Sequence, residues 1–436
     1  MRKFISYWIV WICLYVSSGF AQTTLTLEET LRIALENNYA IQLAKVDAGI
    51  ASNNNRPGAA GMMPVVTGTA GIDNQVINTE QKFLNGTENN REGALSNQMN
   101  AGIELGWTIF DGFKMFAAKN RLEELQKQGE LRMRAQIEQV FVKVIRAYYE
   151  VQLAQTQLKT AEEAVAVSNK RLDFINDRYK AGKSAKTEML KAQVDLNADK
   201  AVLMRLQVQF ENLKANLNLA LARDSRTAFE ISDTLFVENT LKLDEWMQQA
   251  QASNTNIQMA KGNRTISLMS LREIRAERMP TVQLKSGYNF SRQESQAGFL
   301  QSAQNIGFHY GAGLSLNLFN GWEVKRKLTN AELGMRYSDL VYRDSLARLK
   351  YAVEQAYANY QLSLNLLSFE RENLAVAREN FDIASEQYRV GVITGIELRD
   401  AQQNYMNNEL RLLQALFEAR MHETELKRLS GTLLKL

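Results

Sequence analysis

The side chains best placed for chemistry lie in two matching phrases. RYKAGKSAKTEML runs from Arg178 to Leu190, and QYRVGVITGIELR runs from Gln387 to Arg399. Tyr179 answers to Tyr388, Gly182 to Gly391 and Glu188 to Glu397, and Asp400 follows directly on the second phrase. Carboxylates act as general acids, ligate metals, or set the charge along a passage. The first two uses need partners that this sequence does not supply. Its two histidines, His309 and His422, are far apart and sit in no metal-ligand motif, and its one cysteine is Cys13. There is no GxSxG, CxxC, HExxH or phosphate loop. The pattern gives no nucleophile, metal set or cofactor site, and so points away from an enzyme. Glu188 and Glu397 are explained at a minimum by the first turn of a helix, where a carboxylate gains about 0.3–1 kcal/mol from the dipole. Asp400 lies deeper and is less well explained that way.

The first residues, MRKFISYWIVWICLYVSSGFA, read as a secretory signal over 1–21: a charged start, an apolar stretch, and small residues at Gly19 and Ala21. An apolar stretch of about 15 residues is short for a membrane anchor. The VWI before Cys13 does not resemble a lipoprotein processing site. With Cys13 inside the leader, no disulfide or thiolate chemistry remains. The chain carries 52 basic and 48 acidic residues, with Arg2 and Lys3 in the leader, so its charge argues against nucleic acid or any other polyanion. Past the leader no apolar run of about 18 residues occurs, so no helix spans a membrane. An exported chain of this kind is either soluble or a β-barrel, whose strands give a weaker signal.

The phrases belong to a duplicated plan. FDG at Phe110–Gly112 matches FNG at Phe319–Gly321, AYYE at Ala147 matches AYAN at Ala356, and Tyr179 matches Tyr388, all about 209 residues apart. Leu27 with Leu243 and Pro64 with Pro280 stand about 216 apart, so a loop of about seven residues separates the two spacings. After FDG the apolar positions keep a seven-residue register: Ile137, Val144, Val151, Leu158, Val165, Leu172, Tyr179, accompanied by Val140, Ala147, Ala154, Ala161, Ser168, Ile175. The second half repeats it from Leu346 to Tyr388 and from Leu349 to Ala384, with Glu370 as the misfit. A strict heptad supercoils a helix against a neighbour, and small residues in one series allow close approach. About 67 residues make a helix on the order of 100 Å long. Gly182 and Gly391 suit the left-handed position that ends a helix, and Thr187 or Thr394 would start the next. The phrases are therefore the tips of helical hairpins, expected over about 113–222 and 322–429. A helix expected from Thr26 to about Arg56 would stack end to end with a returning helix and complete a wall of even height.

Before FDG and FNG the period falls to two. In NAGIELGWTIF, Ala101, Ile103, Leu105, Trp107 and Ile109 face away from Asn100, Gly102, Glu104, Gly106 and Thr108. In FHYGAGLSLNL, Phe308, Tyr310, Ala312 and Leu314 oppose His309, Gly311 and Gly313. Four strands are expected, at about 65–76, 99–110, 281–291 and 307–318, long enough to cross a bilayer tilted, with aromatics near their ends. The polar stretches Ile77–Gln98 and Arg292–Ile306 read as exposed loops. Four strands cannot close alone, and an open edge is not tolerated in lipid. Two copies would give eight strands and three would give twelve. A coiled-coil structural or adhesive protein of the envelope, without a pore, fits the heptads but not the glycine-rich alternating strands.

In this order and spacing the residues resemble the TolC family of outer-membrane export channels. The resemblance covers nearly the whole mature chain: the duplicated halves, the FDG and FNG junctions, and two Tyr-x-x-Gly turns each followed by an acid. It implies a mainly α protein with a membrane β part, in which four strands per chain contribute to a trimeric 12-stranded β-barrel. Antiparallel coiled-coil hairpins form an α-barrel across the periplasm. Substrate would arrive from an inner-membrane transporter through a periplasmic adaptor, with outer-membrane lipid as the other partner. The repeats would occupy 22–222 and 243–430, and 223–242 would pack outside the tunnel in an equatorial belt. Tyr179, Gly182, Lys183, Ser184, Gly391, Val392, Ile393 and Thr394 fall at the entrance, where the family docks adaptors. Glu397 and Asp400 match two acids that form a selectivity ring, Glu188 matches the acid of the first tip, and Tyr388 matches an entrance tyrosine. Six such carboxylates from three copies would favour cations and could hold a blocking divalent ion. Ile393 stands where the best-known member has an arginine locking the closed state, so a different latch is expected, such as packing around Tyr388. The heptad register by itself places both tyrosines in a packed seam.

Overall fold

The computed structural model describes residues 23–231, 242–297 and 300–435. The expected leader, and 232–241 of the expected belt segment, lie outside the described residues. In chain order the elements are β1 (Thr23–Leu25), α1 (Leu27–Asn37), α2 (Tyr39–Asn54), β2 (Val65–Lys82), β3 (Glu88–Phe110), α3 (Lys114–Lys180), α4 (Lys186–Ala220), β4 (Phe229–Ile231), α5 (Leu243–Ser253), α6 (Thr255–Ala276), β5 (Thr281–Ser295), β6 (Ser302–Ser315), α7 (Glu323–Val390) and α8 (Gly395–Leu429). They fall into two compact units. One contains Lys143–Val237 and Leu366–Arg420 with the residues up to Asn38, and the other contains Tyr39–Val142, Glu238–Asn365 and the residues from Met421.

The second unit carries a four-stranded antiparallel sheet in the order β2-β3-β5-β6. Its register keeps residues of one parity on one face, so Ile103 pairs with Tyr288 and Tyr288 with Phe308, while Glu104 pairs with Gly287 and Gly287 with His309. The strands run further than the hydrophobic pattern indicates. β2 and β3 stay paired out to Lys82 and Glu88, with one register shift near Ile77, so most of the expected loop Ile77–Gln98 is hairpin. The backbone ladder continues where both faces are polar, and polarity hid it. The turn had a signal of its own in Asn85-Gly86, with Gly86 at φ 84°. β5 likewise continues to Ser295, and β6 starts at Ser302 and ends at Ser315, which leaves Leu316–Leu318 outside the ladder.

Each repeat crosses from strand to helix in the same way. Gly112 and Phe113 have φ of 71° and 69°, and Gly321 and Trp322 have 64° each. The aromatic before each glycine meets the one after it edge-on, Phe110 with Phe113 and Phe319 with Trp322. The expected helix over 26–56 is broken at Asn38, which is extended (φ −62°, ψ 123°) and separates α1 from α2; Asn254 breaks α5 from α6 with nearly the same angles. Both asparagines reach the end of a returning helix: Asn38 Nδ2 donates to the Ala220 carbonyl at 2.8 Å and Asn254 Nδ2 to the Leu429 carbonyl at 2.9 Å. Asn254 also caps its own helix, its Oδ1 accepting from the Ile257 N–H at 3.1 Å, and each donated amide satisfies a carbonyl that would otherwise lack a donor. The heptad series is the core. Val144, Val151, Ala154, Ala161, Ser168 and Ile175 on α3 are buried, as are Val353, Tyr360, Ser363, Leu367, Ala384 and Tyr388 on α7. The misfit Glu370 turns its carboxylate to Arg411 on α8 at 3.3 Å.

Candidate functional site

Both long helices end alike. Gly182 (φ 72°) and Lys183 donate their N–H groups to the carbonyls of Tyr179 and Arg178, at 2.9 and 2.8 Å. Gly391 (φ 82°) and Val392 donate to Tyr388 and Gln387, at 3.0 and 2.9 Å. These are Schellman closures, and the left-handed residue they require explains the glycine in each phrase. The starts of the returning helices differ. Thr394 and Glu397 form a reciprocal capping box: the Thr394 N–H and hydroxyl donate to Glu397 Oε2 at 2.6 and 2.9 Å, and the Glu397 N–H donates to Thr394 Oγ1 at 3.3 Å. Thr187 has no such role, because α4 begins one residue earlier. Its cap, Ala185, offers no side chain, and Ser184 Oγ donates to Glu188 Oε2 at 2.5 Å instead.

The two tips share one apolar cluster of Ile175, Ala192, Ala384, Tyr388, Leu398 and Ala401, with Leu172, Phe174, Met189, Phe381 and Ile393 packed on it. Ile393, where a locking arginine was in question, therefore joins the packing around Tyr388. Phe174 meets the Tyr388 ring edge-on at 5.7 Å. Burial, reinforced by the charge of Glu188, pushes the Tyr388 phenol up, while Arg171 and Arg178 oppose it. Tyr179 does not pack as its register suggested. It is 38 % exposed against 7 % for Tyr388, which has Leu398 and Ala401 packed in its cluster. Gly182, Lys183, Gly391, Val392 and Thr394 are exposed, and Ser184 is half-buried.

Among the sequence-derived acids, Glu397 is fully exposed, and its bonds from the Thr394 backbone and hydroxyl hold its carboxyl below the ordinary value. The capping box thus accounts for Glu397. Asp400 is exposed one turn further on, touched only weakly by Asn404 Nδ2 at 3.4 Å. The charges that bind the elements together were not singled out from the sequence. Arg399 on α8 grips Asp199 on α4 with two bonds, Nη2 to Oδ1 at 2.6 Å and Nη1 to Oδ2 at 2.7 Å, while Ser168 of α3 donates to Asp199 Oδ2 at 2.6 Å. The bond to Asp199 raises the Arg399 guanidinium further, against the effect of burial. Arg171 of α3 holds Asp195 of α4 at 2.9 Å, with its Nε and Nη1 buried and unpartnered. A signal did exist: Asp199 follows the buried Leu196 by three residues on one helix face, where a carboxylate needs a partner. An open groove of about 590 Å³ separates the starts of α4 and α8, with Arg171 and Arg399 along it and Leu190, Val194 and Ile396 at its rim. These ion pairs hold the helices of the two hairpins together.

The model of the family described as outer membrane efflux protein matches residues 30–223 and 246–432. Protein CyaE of Bordetella pertussis is 22% identical over 73% of this chain and 67% of its own length. Outer membrane protein TolC of Vibrio cholerae is 20% identical over 78% of each. The crystal structure of the outer membrane protein VceC from Vibrio cholerae superposes with a TM-score of 0.74 at 17% identity, covering 93% of this chain and 96% of that one.

Proposed function

Because the chain belongs to the outer membrane efflux protein family and so resides in the outer membrane, we propose that it is the outer-membrane duct of a tripartite efflux or type I secretion system. It passively conducts substrate delivered by an inner-membrane transporter and a periplasmic adaptor. Three copies pool their sheets into a 12-stranded barrel in lipid, and their paired helices form the tunnel in the periplasm. The observation that carries this reading is the sheet itself. Its outer strands β2 and β6 each have an unpaired edge, and one face bears exposed Ile72, Ile103, Tyr288, Phe308, Tyr310 and Leu314. An apolar face asks for lipid, and an open edge is forbidden there, so edges must meet between copies.

In this reading the tips are the periplasmic entrance. Asp400 supplies the selectivity carboxylate, Glu397 adds charge while capping α8, Glu188 lines the approach, and Tyr388 holds the packing behind it. The exposed turn residues around Gly182 and Gly391 receive the adaptor. The latch that replaces an arginine at Ile393 is twofold: the apolar cluster around Tyr388, and the Arg399–Asp199 pair that ties one hairpin to the other. The test is the protein purified from outer membranes in native detergent. A trimer that opens conductances in planar bilayers, with cation block altered in the Glu397→Ala, Asp400→Ala double variant, is the expected result. A single subunit without current overturns the duct, and unchanged block in the double variant removes the gate assignment alone.

A further inference from the structure

The water-facing side of the sheet holds an arrangement that nothing at the hairpin tips requires. Gly287 is buried although it sits on an open sheet, because the His309 imidazole of the neighbouring strand lies across it. A Cβ at Gly287 would stand 2.6 Å from His309 Cε1 and 2.9 Å from the Ile103 carbonyl oxygen, so the glycine is the seat of the ring. On the other side of Gly287, in register, is Glu104 of β3. The ring is oriented as well as seated. Asn289 Nδ2 lies 3.5 Å from His309 Nδ1, and Asn289 itself fills the space left by Gly102, where any Cβ would collide with its amide oxygen. Two glycines on adjacent strands thus hold one imidazole in a fixed place, opposite a carboxylate, in the middle of the four-stranded part.

We infer that His309, seated on Gly287 and facing Glu104, determines the charge selectivity of the barrel, and that its protonation switches that selectivity. This inference rests on the duct reading, which puts the polar face around water. On that face the charged groups within the four-stranded part are Asp73 of β2, Glu104 of β3 and Lys285 of β5, with none besides His309 on β6. With neutral imidazole the wall carries one net negative charge per copy and favours cations. Protonated imidazole cancels it, and the barrel's own contribution to the preference is lost. Histidine is the side chain whose charge ordinarily changes between about pH 5 and 8, which is within the range an envelope protein meets. Rings of fixed charge set permeability in this way in other pores.

The test is reversal potential in a KCl gradient across planar bilayers carrying the purified oligomer, at about pH 8 and about pH 5.5. In the native protein the preference for potassium over chloride should fall by roughly two-fold or more on acidification. His309→Gln, which keeps His422 and every carboxylate, should hold the alkaline value at both pH values. His309→Lys should show the acid value at both. An equal fall in His309→Gln and the native protein, or no fall in the native protein, overturns the inference while leaving the duct intact. Absence of any current in the native protein removes the duct and this inference with it.

Discussion

Cutting the Arg399–Asp199 pair should loosen the tip of each copy by a measurable and partitionable amount. The pair is bidentate, and the two side chains are 15% and 9% exposed, so it falls in the range for buried ion pairs and outside the range for surface ones. Arg399→Ala leaves the Asp199 carboxylate buried with only the Ser168 hydroxyl for company, at a cost of about 3–5 kcal/mol. Replacing both, as Arg399→Met with Asp199→Leu, removes the stranded charge along with the bond and should cost little or even stabilise, because well-packed apolar groups often match a buried pair. The assay is a double-mutant cycle on the midpoint of chemical unfolding in detergent, followed by far-UV circular dichroism, with single-channel leak recorded on the same samples. Expected are a large loss in each single variant, a coupling of about 1 kcal/mol or more, and more frequent spontaneous openings in Arg399→Ala. Additive single effects with an unchanged leak would refute the claim that this pair ties the hairpins.

Other outcomes follow from local geometry. Just past the end of α4, Ala222 has φ 53°, where the matching position after α8 is Gly431 at φ 69°. Ala222→Gly should therefore stabilise by about 0.5–1 kcal/mol, read as a rise in melting temperature. The depressed pKa of Glu397 means that its contribution is present above the ordinary carboxylate range and is lost as pH falls through the lowered value. Thr394→Val removes the side-chain part of that depression, so the acid-side fall in melting temperature should be smaller, and complete at higher pH, than in the native protein. Tyr388→Ala should cost about 3–5 kcal/mol, as for a buried aromatic, whereas the half-exposed Tyr179 should lose only about 0.5 kcal/mol on the same change, by thermal melting.

The sequence by itself determined the elements and their kinship. A seven-residue period, a two-residue period and a glycine in each turn are all local, and they can be counted without knowing what lies across the interface. That is why α3, α7 and both Schellman turns stand within a residue or two of where the pattern placed them. Locality also marks where the reading stopped. The ladder of β2 and β3 ran on past Ile77 because backbone pairing continues when side chains carry no apolar alternation. Thr187 resembled a cap, and the structure put the cap at Ala185 with the helix starting at Lys186. Tyr179 and Tyr388 are identical in phrase and register, yet only Tyr388 has Phe174, Leu398 and Ala401 around it. Arg399 and Asp199 are far apart along the chain, and so is Glu104 from Gly287 and His309. Only the packing of hairpin on hairpin and strand beside strand brings each set within reach. Charge pairing falls off over a few ångströms of space and takes no account of sequence separation, so it was the tertiary structure that decided which polar residues act together.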